Sequence, residues 1–340
     1  MRGAAITILI ILAWVSGVNL HAQQRLHYNQ YILNPYIVNP AFGGSERFTD
    51  IKAGFQSQWL GFDGAPRGVF LTAHSQMMKR MTYPRPLPLP SRSQSQIQAI
   101  PEPADIETPP IIRGIGATIV SETSGPQSVT EVSGSYTAHF QLSNQLKLGI
   151  GTNVGMLNFT FDPTSIFILD NNDIAFTSAY ASVWMINVNG GALLYHPKFY
   201  GGVSLRQLLQ NKLILDLSST RKSALVLHYY FMGGCKLPVG EKLLLIPSAI
   251  VNLTAGAPPS VDIGARIIYR QLLMAGLGYR HGEGATALAG FRISDLLSLG
   301  YSYEYPLTTL RAQSSGTHSL ILGLRLTKQG YAAGNNYFWQ

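Results

Sequence analysis

Histidine and serine are the residues of this chain that first suggest chemistry, because imidazole activates hydroxyl nucleophiles and binds metals. The chain has eight histidines, and no two stand at the His-Glu-x-x-His spacing of a zinc site. His74 precedes Ser75 and His318 precedes Ser319, but neighbouring strand residues point to opposite faces. No Gly-x-Ser-x-Gly elbow or phosphate loop occurs. The sequence therefore predicts no enzyme and no cofactor, and leaves open only a triad assembled from remote strands.

Oxygen-bearing side chains gather in the run Asp170-Asn171-Asn172-Asp173. A calcium site needs about six oxygen ligands at defined spacings, and this run lacks the spaced pattern of a calcium loop. We therefore predict a solvated turn here and no metal site.

Two Asn-Pro steps close to the N-terminus suggest binding rather than catalysis. Asn-Pro favours the start of a turn and denies helix to the asparagine. The aromatic content of residues 25–48 favours a compact, turn-rich segment docked on the rest of the chain, with a loose linker as the alternative. Its candidate partner-binding residues are Tyr31, Asn34, Pro35, Asn39, Pro40 and Phe42.

The motif WLGFDGAP, which follows at residues 59–66, predicts a tight turn. Two glycines and a proline supply the turn, and a tryptophan and a phenylalanine supply rigid apolar area of the kind that anchors protein partners. A structural hairpin with an aromatic belt explains the same residues. The candidate partner-binding residues here are Trp59, Gly61, Phe62, Asp63, Gly64 and Pro66.

Composition excludes several classes of protein. The net charge of +8 is spread thinly along the chain, without the basic stripe and interleaved aromatics of a nucleic-acid site. Cys235 is the only cysteine, which excludes a disulfide scaffold. Hydrophobic residues make up 46% and charged residues only 12%, against about a quarter charged in soluble domains. A surface facing lipid explains this deficit.

The N-terminal residues indicate export. Arg2 is followed by an apolar run from Ala4 to Val15, then by Ser16 and Gly17, and the small residue Ala22 precedes the expected cleavage site, which is the order of a secretory signal peptide. The run is too short to cross a bilayer, which takes about 20 residues. We therefore predict a signal peptide at 1–22, with a short buried helix as the alternative.

Apolar and polar residues alternate with period two along most of the chain, which predicts β-strands. Bacterial single-chain barrels have an even number of strands, and fourteen segments fit this pattern. We predict an all-β fold, a transmembrane antiparallel outer-membrane β-barrel over 49–327. The predicted strands are 49–59, 66–78, 111–122, 128–141, 145–159, 177–194, 198–209, 223–236, 242–254, 260–270, 272–281, 285–293, 295–305 and 317–327.

The connections separate a barrel from a soluble sandwich, because they alternate between short and longer as in outer-membrane barrels. An even strand count then puts both mature termini in the periplasm, with segment 23–48 at the periplasmic mouth or inside the lumen. The proline-rich stretch 79–110 replaces one short periplasmic turn and is expected to be extended. It is either a partner-binding arm or an insertion without function.

Strand alternation also assigns the faces. Because their strand neighbours are polar, we expect Val261, Ile263, Ile267, Leu320, Leu322 and Leu324 to face lipid. Arginine should then block assembly at Leu322 and be tolerated at Ile321. The expected lumen-side charges are of mixed sign, and an open polar lumen would make the chain a passive channel or hydrophobic-solute porter. They are Arg113, Glu131, His139, Asp262, Arg266, Arg292, Glu304 and Arg325.

Sequence motifs distributed over residues 28–327 resemble one family. The N-terminal part contains YNQYILNPYIVNPAFGG and QWLGFDGAPRGVFLTAHS, and ETSGPQSVTEVSGSYTAHFQL, LGYRHGEG and LGYSYEYPLTTL follow in order. The chain resembles the PorP/SprF family of outer-membrane proteins of the type IX secretion system of the Bacteroidota. The paired Asn-Pro steps and WLGFDGAP are the distinctive part of the match.

The resemblance implies an outer-membrane barrel in protein secretion and, for some members, gliding motility. Its implied partners are type IX secretion-system proteins or a secreted adhesin-like cargo, and outer-membrane lipid. The proline-rich insertion and the tail 328–340 depart from the family pattern. We expect the periplasmic features 25–48 and 79–110 to carry much of the partner specificity.

Overall fold

The computed structural model describes part of the chain, namely residues 29–77, 111–162, 181–213 and 223–326. The predicted signal peptide, the proline-rich stretch, Asp170 to Asp173 and the tail 328–340 lie outside these residues. Within them, no helix is long and apolar enough to cross a membrane.

The described residues form a closed antiparallel β-barrel of fourteen strands. Strands β10 and β11 are two parts of one barrel strand, since both pair with β12, and β8 and β9 form a separate two-stranded hairpin. The strands are β1 Thr49–Ser57, β2 Arg67–Met77, β3 Ile111–Ser124, β4 Gln127–Gln141, β5 Lys147–Phe161, β6 Ala181–His196, β7 Phe199–Arg206, β8 Lys212–Leu213, β9 Ser223–Ala224, β10 His228–Cys235, β11 Leu237–Val239, β12 Leu243–Thr254, β13 Ser260–Tyr269, β14 Leu273–Arg280, β15 Gly284–Arg292, β16 Leu297–Pro306 and β17 Thr317–Leu326.

The predicted strand count is confirmed, and one region differs in detail. The predicted strand 223–236 begins later, at His228, because Ser223 and Ala224 pair with the β8 residues instead of joining the barrel. The gap 210–222 between two predicted strands was expected to be a loop. It instead contains the short strand β8, so this expectation was wrong. At the other end, the barrel strand continues past Lys236 as β11.

Two pairings close the barrel. Strand β1 pairs with β17, and β10 pairs with β12, with His228 opposite Thr254. Thr49 lies opposite Leu326, so the barrel begins and ends at the same end. The short turns 142–146, 197–198, 240–242, 270–272 and 293–296 lie at this end too. We call it the short-turn end and the opposite one the long-loop end.

The outer face is apolar, as the alternation predicted. Ile263, Ile267, Leu320 and Leu322 are 44–54% exposed on this face, and Leu277 is 70% exposed. Val261 and Leu324, half-buried, occupy the same face of their strands. Exposed side chains of this kind form the band that contacts lipid in an outer-membrane barrel.

One expectation about the inner face is wrong, and a second has to be revised. Arg113 is exposed and shares the outward face of Ile115 and Ile119, because the pleat places odd-numbered residues of β3 outside. Ile321 points inward as expected but is only 5% exposed within an apolar cluster. Arginine at Ile321 would bury a charge in that cluster, so we no longer expect it to be tolerated.

A matched pair of substitutions on neighbouring strands tests these faces. Leu277→Arg should reduce barrel assembly, because arginine near the membrane midplane costs roughly 2–4 kcal/mol. Thr286→Arg should assemble, since Thr286 donates a hydrogen bond to Glu304 on the inner face (3.2 Å). Heat-modifiable migration in gels measures the folded fraction. Equal assembly of the two variants would show that the faces are misassigned.

Candidate functional site

The N-terminal segment lies inside the barrel. Three 3-10 turns, Asn29–Ile32, Pro35–Ile37 and Pro40–Phe42, make up most of it. All residues from Asn34 to Gly44 are buried. These 3-10 turns are too short to bury one another, so the surrounding barrel wall covers them. We call residues 29–48 the plug. The sequence predicted this segment either at the periplasmic mouth or inside the lumen, and it lies inside the lumen.

Both Asn-Pro steps start a turn, as predicted, but the two asparagines serve different purposes. Asn39 caps its turn, since its side-chain oxygen accepts from the N–H of Ala41 (2.9 Å). Its Nδ2 donates to the carbonyls of Ala192 and Val203, both at 3.2 Å. Asn34 makes no cap and donates instead to Oγ1 of Thr72 (3.0 Å). The asparagines therefore attach the turns to the barrel wall.

Two histidines hold one peptide group of the plug from both sides. The N–H of Gly44 donates to Nδ1 of His74 (3.3 Å). The carbonyl oxygen of Gly43, in the same peptide group, lies 2.8 Å from Nε2 of His139 and 2.6 Å from Oγ1 of Thr137. This arrangement puts the His139 proton on Nε2 and leaves Nδ1 of His74 as an acceptor. We call the pair the histidine clamp.

Glycines on the inner wall make room for the plug backbone. A Cβ at Gly151 would lie 2.6 Å from the nitrogen of Ala41, and one at Gly114 would lie 2.6 Å from the carbonyl oxygen of Gly43. A Cβ at Gly191 would lie 2.0 Å from Oδ1 of Asn39. Glycine at these three strand positions therefore allows the close approach of the plug.

The plug is fastened around much of the inner wall. Tyr36 hydrogen-bonds to Ser135 (2.6 Å), Ser204 donates to the carbonyl of Val38 (2.7 Å), and Arg266 donates to the carbonyl of Ile32. Together with the contacts above, these bonds reach β2, β4, β6, β7 and β13. They all lie in the half of the barrel nearer the short turns.

Apolar packing adds to these hydrogen bonds. The plug side chains form one buried cluster with inward side chains of the wall, so they occupy the lumen at this level. Burying an apolar side chain of this size stabilises by about 1.5–3 kcal/mol. The buried members are Tyr31, Tyr36, Ile37, Val38, Ala41, Phe42, Phe70, Val120, Leu193, Tyr195, Met232, Ile250 and Ile321.

Ion pairs line the other half of the lumen, as the mixed signs suggested. Glu131 pairs with Arg206 at 3.5 Å. Arg280 binds Asp262 through two hydrogen bonds of 2.6 and 2.9 Å and lies 3.5 Å from Glu304. The Asp262–Arg280 pair links the neighbouring strands β13 and β14, whereas the other two pairs join strands that are not adjacent in the sheet.

The WLGFDGAP turn lies at the long-loop end. Gly61 and Gly64 have positive φ angles of 98° and 71°, so they supply the predicted turn, and the buried Pro66 accepts from the N–H of Gln58 (2.8 Å). Phe62 is 44% exposed, Trp59 is half-buried, and Asp63 is exposed.

Neighbouring loops hold this turn on both sides. Leu60 exchanges two backbone hydrogen bonds with Ser315 and Gly316 (2.7 and 2.8 Å), and Gly125 donates to the carbonyl of Gly64 (2.9 Å). Leu60 is nevertheless 47% exposed. The turn thus presents Leu60 and Phe62 on a fixed backbone, as both a partner anchor and a structural hairpin with an aromatic belt would require. The whole segment 58–66 is called the rim turn below.

The predicted partner-binding residues therefore fall into two separate places. Those of the plug contact the wall inside the lumen, and those of the rim turn lie at the opposite end. Sequence reasoning placed His139 on the lumen side but did not predict that His74, His139 and the inner glycines contact the plug. Their signal in the sequence is glycine or a small polar residue at inward strand positions. Among the described residues, no group of three His, Cys, Asp or Glu is placed to hold a metal ion.

These features define a class: a closed transmembrane β-barrel whose lumen is filled by its own N-terminal segment. The family model described as type IX secretion system membrane protein PorP/SprF matches residues 20–324. The chain belongs to this family, which confirms the resemblance found in its motifs. Fold and family together place it in the outer membrane. A search of curated proteins gives no significant match.

Solved structures similar to this chain are outer-membrane barrels. The toluene transporter TbuX of Ralstonia pickettii has a TM-score of 0.45 and 10% identity, covering 87% of this chain and 93% of that one. The toluene transporter TodX of P. putida has a TM-score of 0.47 and 8% identity, covering 88% and 95%. The translocator domain of the autotransporter NalP from Neisseria meningitidis gives 0.38 and 12%, covering 96% of both chains. Similarity at this level says nothing about what this chain binds or transports.

Enlarging one inner glycine should loosen the plug. Gly151→Ala forces overlap with Ala41, at a cost of about 1–3 kcal/mol. A Val38→Cys probe, 5% exposed at the native valine, in a Cys235→Ser background should then react with maleimide roughly tenfold faster or more. Bilayer conductance should rise as well.

Gly278→Ala is the matched control for this test. Gly278 lies on the inner face too, but a Cβ there meets its nearest atom at 3.6 Å, an ordinary contact. Labelling and conductance should stay at the wild-type level. Unchanged labelling in Gly151→Ala would mean that the glycine does not help to seat the plug.

Proposed function

We propose that this chain is a binding component of the type IX protein secretion and gliding motility machinery. It holds secretion-apparatus proteins or a cargo protein at the outer membrane, and it acts through contacts rather than catalysis. The single observation that carries the proposal is the closed lumen: the plug occupies the place that a transport path would need. Family membership supplies the secretion system, and the rims of the barrel remain as surfaces for partners.

The main alternative is a passive outer-membrane channel or hydrophobic-solute porter. Such a function needs a continuous path along the axis. The plug is fixed by hydrogen bonds to five strands and by an apolar cluster, which argues against an open path. The wild-type barrel should therefore give little conductance in a planar bilayer, and a steady pore would favour the channel.

Partner contact through the plug residues would require the plug to leave the lumen. Asn34 and Asn39 are fully buried, and Phe42 is 1% exposed. The expectation that the N-terminal segment meets partners directly is therefore replaced by a different assignment of roles to the segments of the chain. In this proposal, the plug closes the barrel, and the rim turn and the proline-rich stretch 79–110 meet partners.

The proposed topology is supported by the observation that the first strand begins and the last strand ends on the same side of the barrel. In our proposal, the signal peptide 1–22 exports the chain, and both mature termini are periplasmic, as is usual for barrels of even strand number. The short turns, which share the end with Thr49 and Leu326, then face the periplasm, and the rim turn faces outward.

Epitope tags inserted after a glycine in each of two turns test this topology. Gly282 lies at the long-loop end and Gly240 at the short-turn end, and no atom lies within 4 Å of a Cβ at either position. A tag after Gly282 should bind antibody on intact cells, whereas a tag after Gly240 should bind only after the envelope is opened. The reverse pattern would invert the topology.

The binding proposal is tested by affinity purification from native membranes, with mass spectrometry of the bound proteins. Phe62→Ala should reduce recovery of a secretion-system or cargo protein several-fold, because truncation of an aromatic anchor costs about 2 kcal/mol or more. Leu142→Ala is the control, since Leu142 is exposed to a similar extent (55%) at the opposite rim.

Deletion of 81–108 is the third arm of this experiment. Loss of a partner in that arm alone would assign recognition to the proline-rich stretch. If the wild-type chain recovers no secretion-system or cargo protein, the binding function itself is wrong. Both variants and the deletion should retain heat-modifiable migration, which shows that the barrel is folded.

A further inference from the structure

A cavity separate from the plug contacts lies at the short-turn end. It lies between the plug residue Leu33 and the inner wall formed by β1 and by β13 to β17. The exposed turn residues Gln271 and Leu272 line it, so that the cavity reaches the rim of the barrel. We call it the rim pocket.

The inner side of the rim pocket is positively charged. Lys52, Arg292 and Arg325 line it, and none of its lining residues in the described part of the chain is acidic. Asp50 lies beside the pocket, 2.9 Å from Lys52, and compensates part of this charge. An occupant on this side would therefore carry negative charge, which guanidinium groups bind well as phosphate or carboxylate.

The outer surface of the barrel beside the rim pocket is apolar and faces lipid. Leu273 is opposite Phe291 in the strand register, and both side chains are on the outer face, 50% and 44% exposed. The hydrogen-bonded strands β14 and β15 separate this surface from the pocket, so an occupant can use both only by passing over the rim at Gln271 and Leu272. Such an occupant is amphiphilic, with an anionic head and an apolar tail.

We propose that the rim pocket binds one anionic phospholipid from the membrane leaflet beside the short turns. Its phosphate lies over the rim near Arg292 and Lys52, and an acyl chain follows Leu273 and Phe291. The charge of the lining and the adjoining lipid-facing surface carry this assignment. It does not depend on the secretion function, because any barrel with this rim would bind such a lipid.

The test uses the full-length purified protein in neutral detergent. Native mass spectrometry with an equimolar mixture of phosphatidylglycerol and phosphatidylcholine should show one retained phosphatidylglycerol per barrel, with a preference of roughly tenfold or more. Phosphatidylglycerol should also raise the temperature of barrel unfolding, and Arg292→Gln should remove most of that rise. Arg292→Lys, which keeps the charge, should retain part of it.

Arg113→Gln is the matched control, because Arg113 is an exposed arginine on the outer face near the same end. It should keep the full effect of phosphatidylglycerol. An equal loss in Arg113→Gln would mean general attraction of anionic lipid to the surface and would overturn the pocket. Equal stabilisation by inorganic phosphate, or equal retention of phosphatidylcholine, would overturn an anionic amphiphile as the occupant. The mass measurement on the wild-type chain decides the matter even if Arg292→Gln does not fold.

Discussion

The structure depends on one constraint, which is that a sheet in lipid has no water to satisfy its edge strands. The pairing of Thr49 with Leu326 and of His228 with Thr254 removes both edges by closing the sheet. Closure by fourteen strands leaves an interior too wide to be filled by the side chains of the strands alone. The chain must therefore fill this interior, leave it to water, or bind something there.

This chain fills the short-turn half of its interior with one of its own segments, the plug. A plug of turns brings in peptide groups that cannot pair within regular structure, and each of them needs a partner once it is buried. The inner wall supplies these partners: Asn39 reaches two strand carbonyls, and the histidine clamp satisfies both ends of the Gly43–Gly44 peptide. Inner glycines bring the two backbones close enough for these bonds. The plug and the wall are thus specific to each other.

The sequence predicted the barrel well because period-two alternation is a local signal. All fourteen barrel strands were located. Ser223 and Ala224 were wrongly assigned to the barrel strand that follows them, because their sequence resembles that strand, but they belong to a small separate hairpin. The plug was harder to predict. Asn34-Pro35 and Asn39-Pro40 indicated turns, but only tertiary contact reveals that these turns lie in the lumen. Ile321 shows the same limit: alternation put it on the inner face and gave no sign that the plug packs against that face.

A filled lumen separates what the two ends of the barrel can do. The rim turn and the short turns are not joined by an open path, so a partner at one end influences the other only through the wall or the plug. The rim turn is bonded to the loop before β17 through Leu60 and Ser315, and β17 pairs with β1, the strand that directly follows the plug. The rim turn and the plug are thus connected through two hydrogen-bonded strands, and this wall is the part of the structure that joins the two ends.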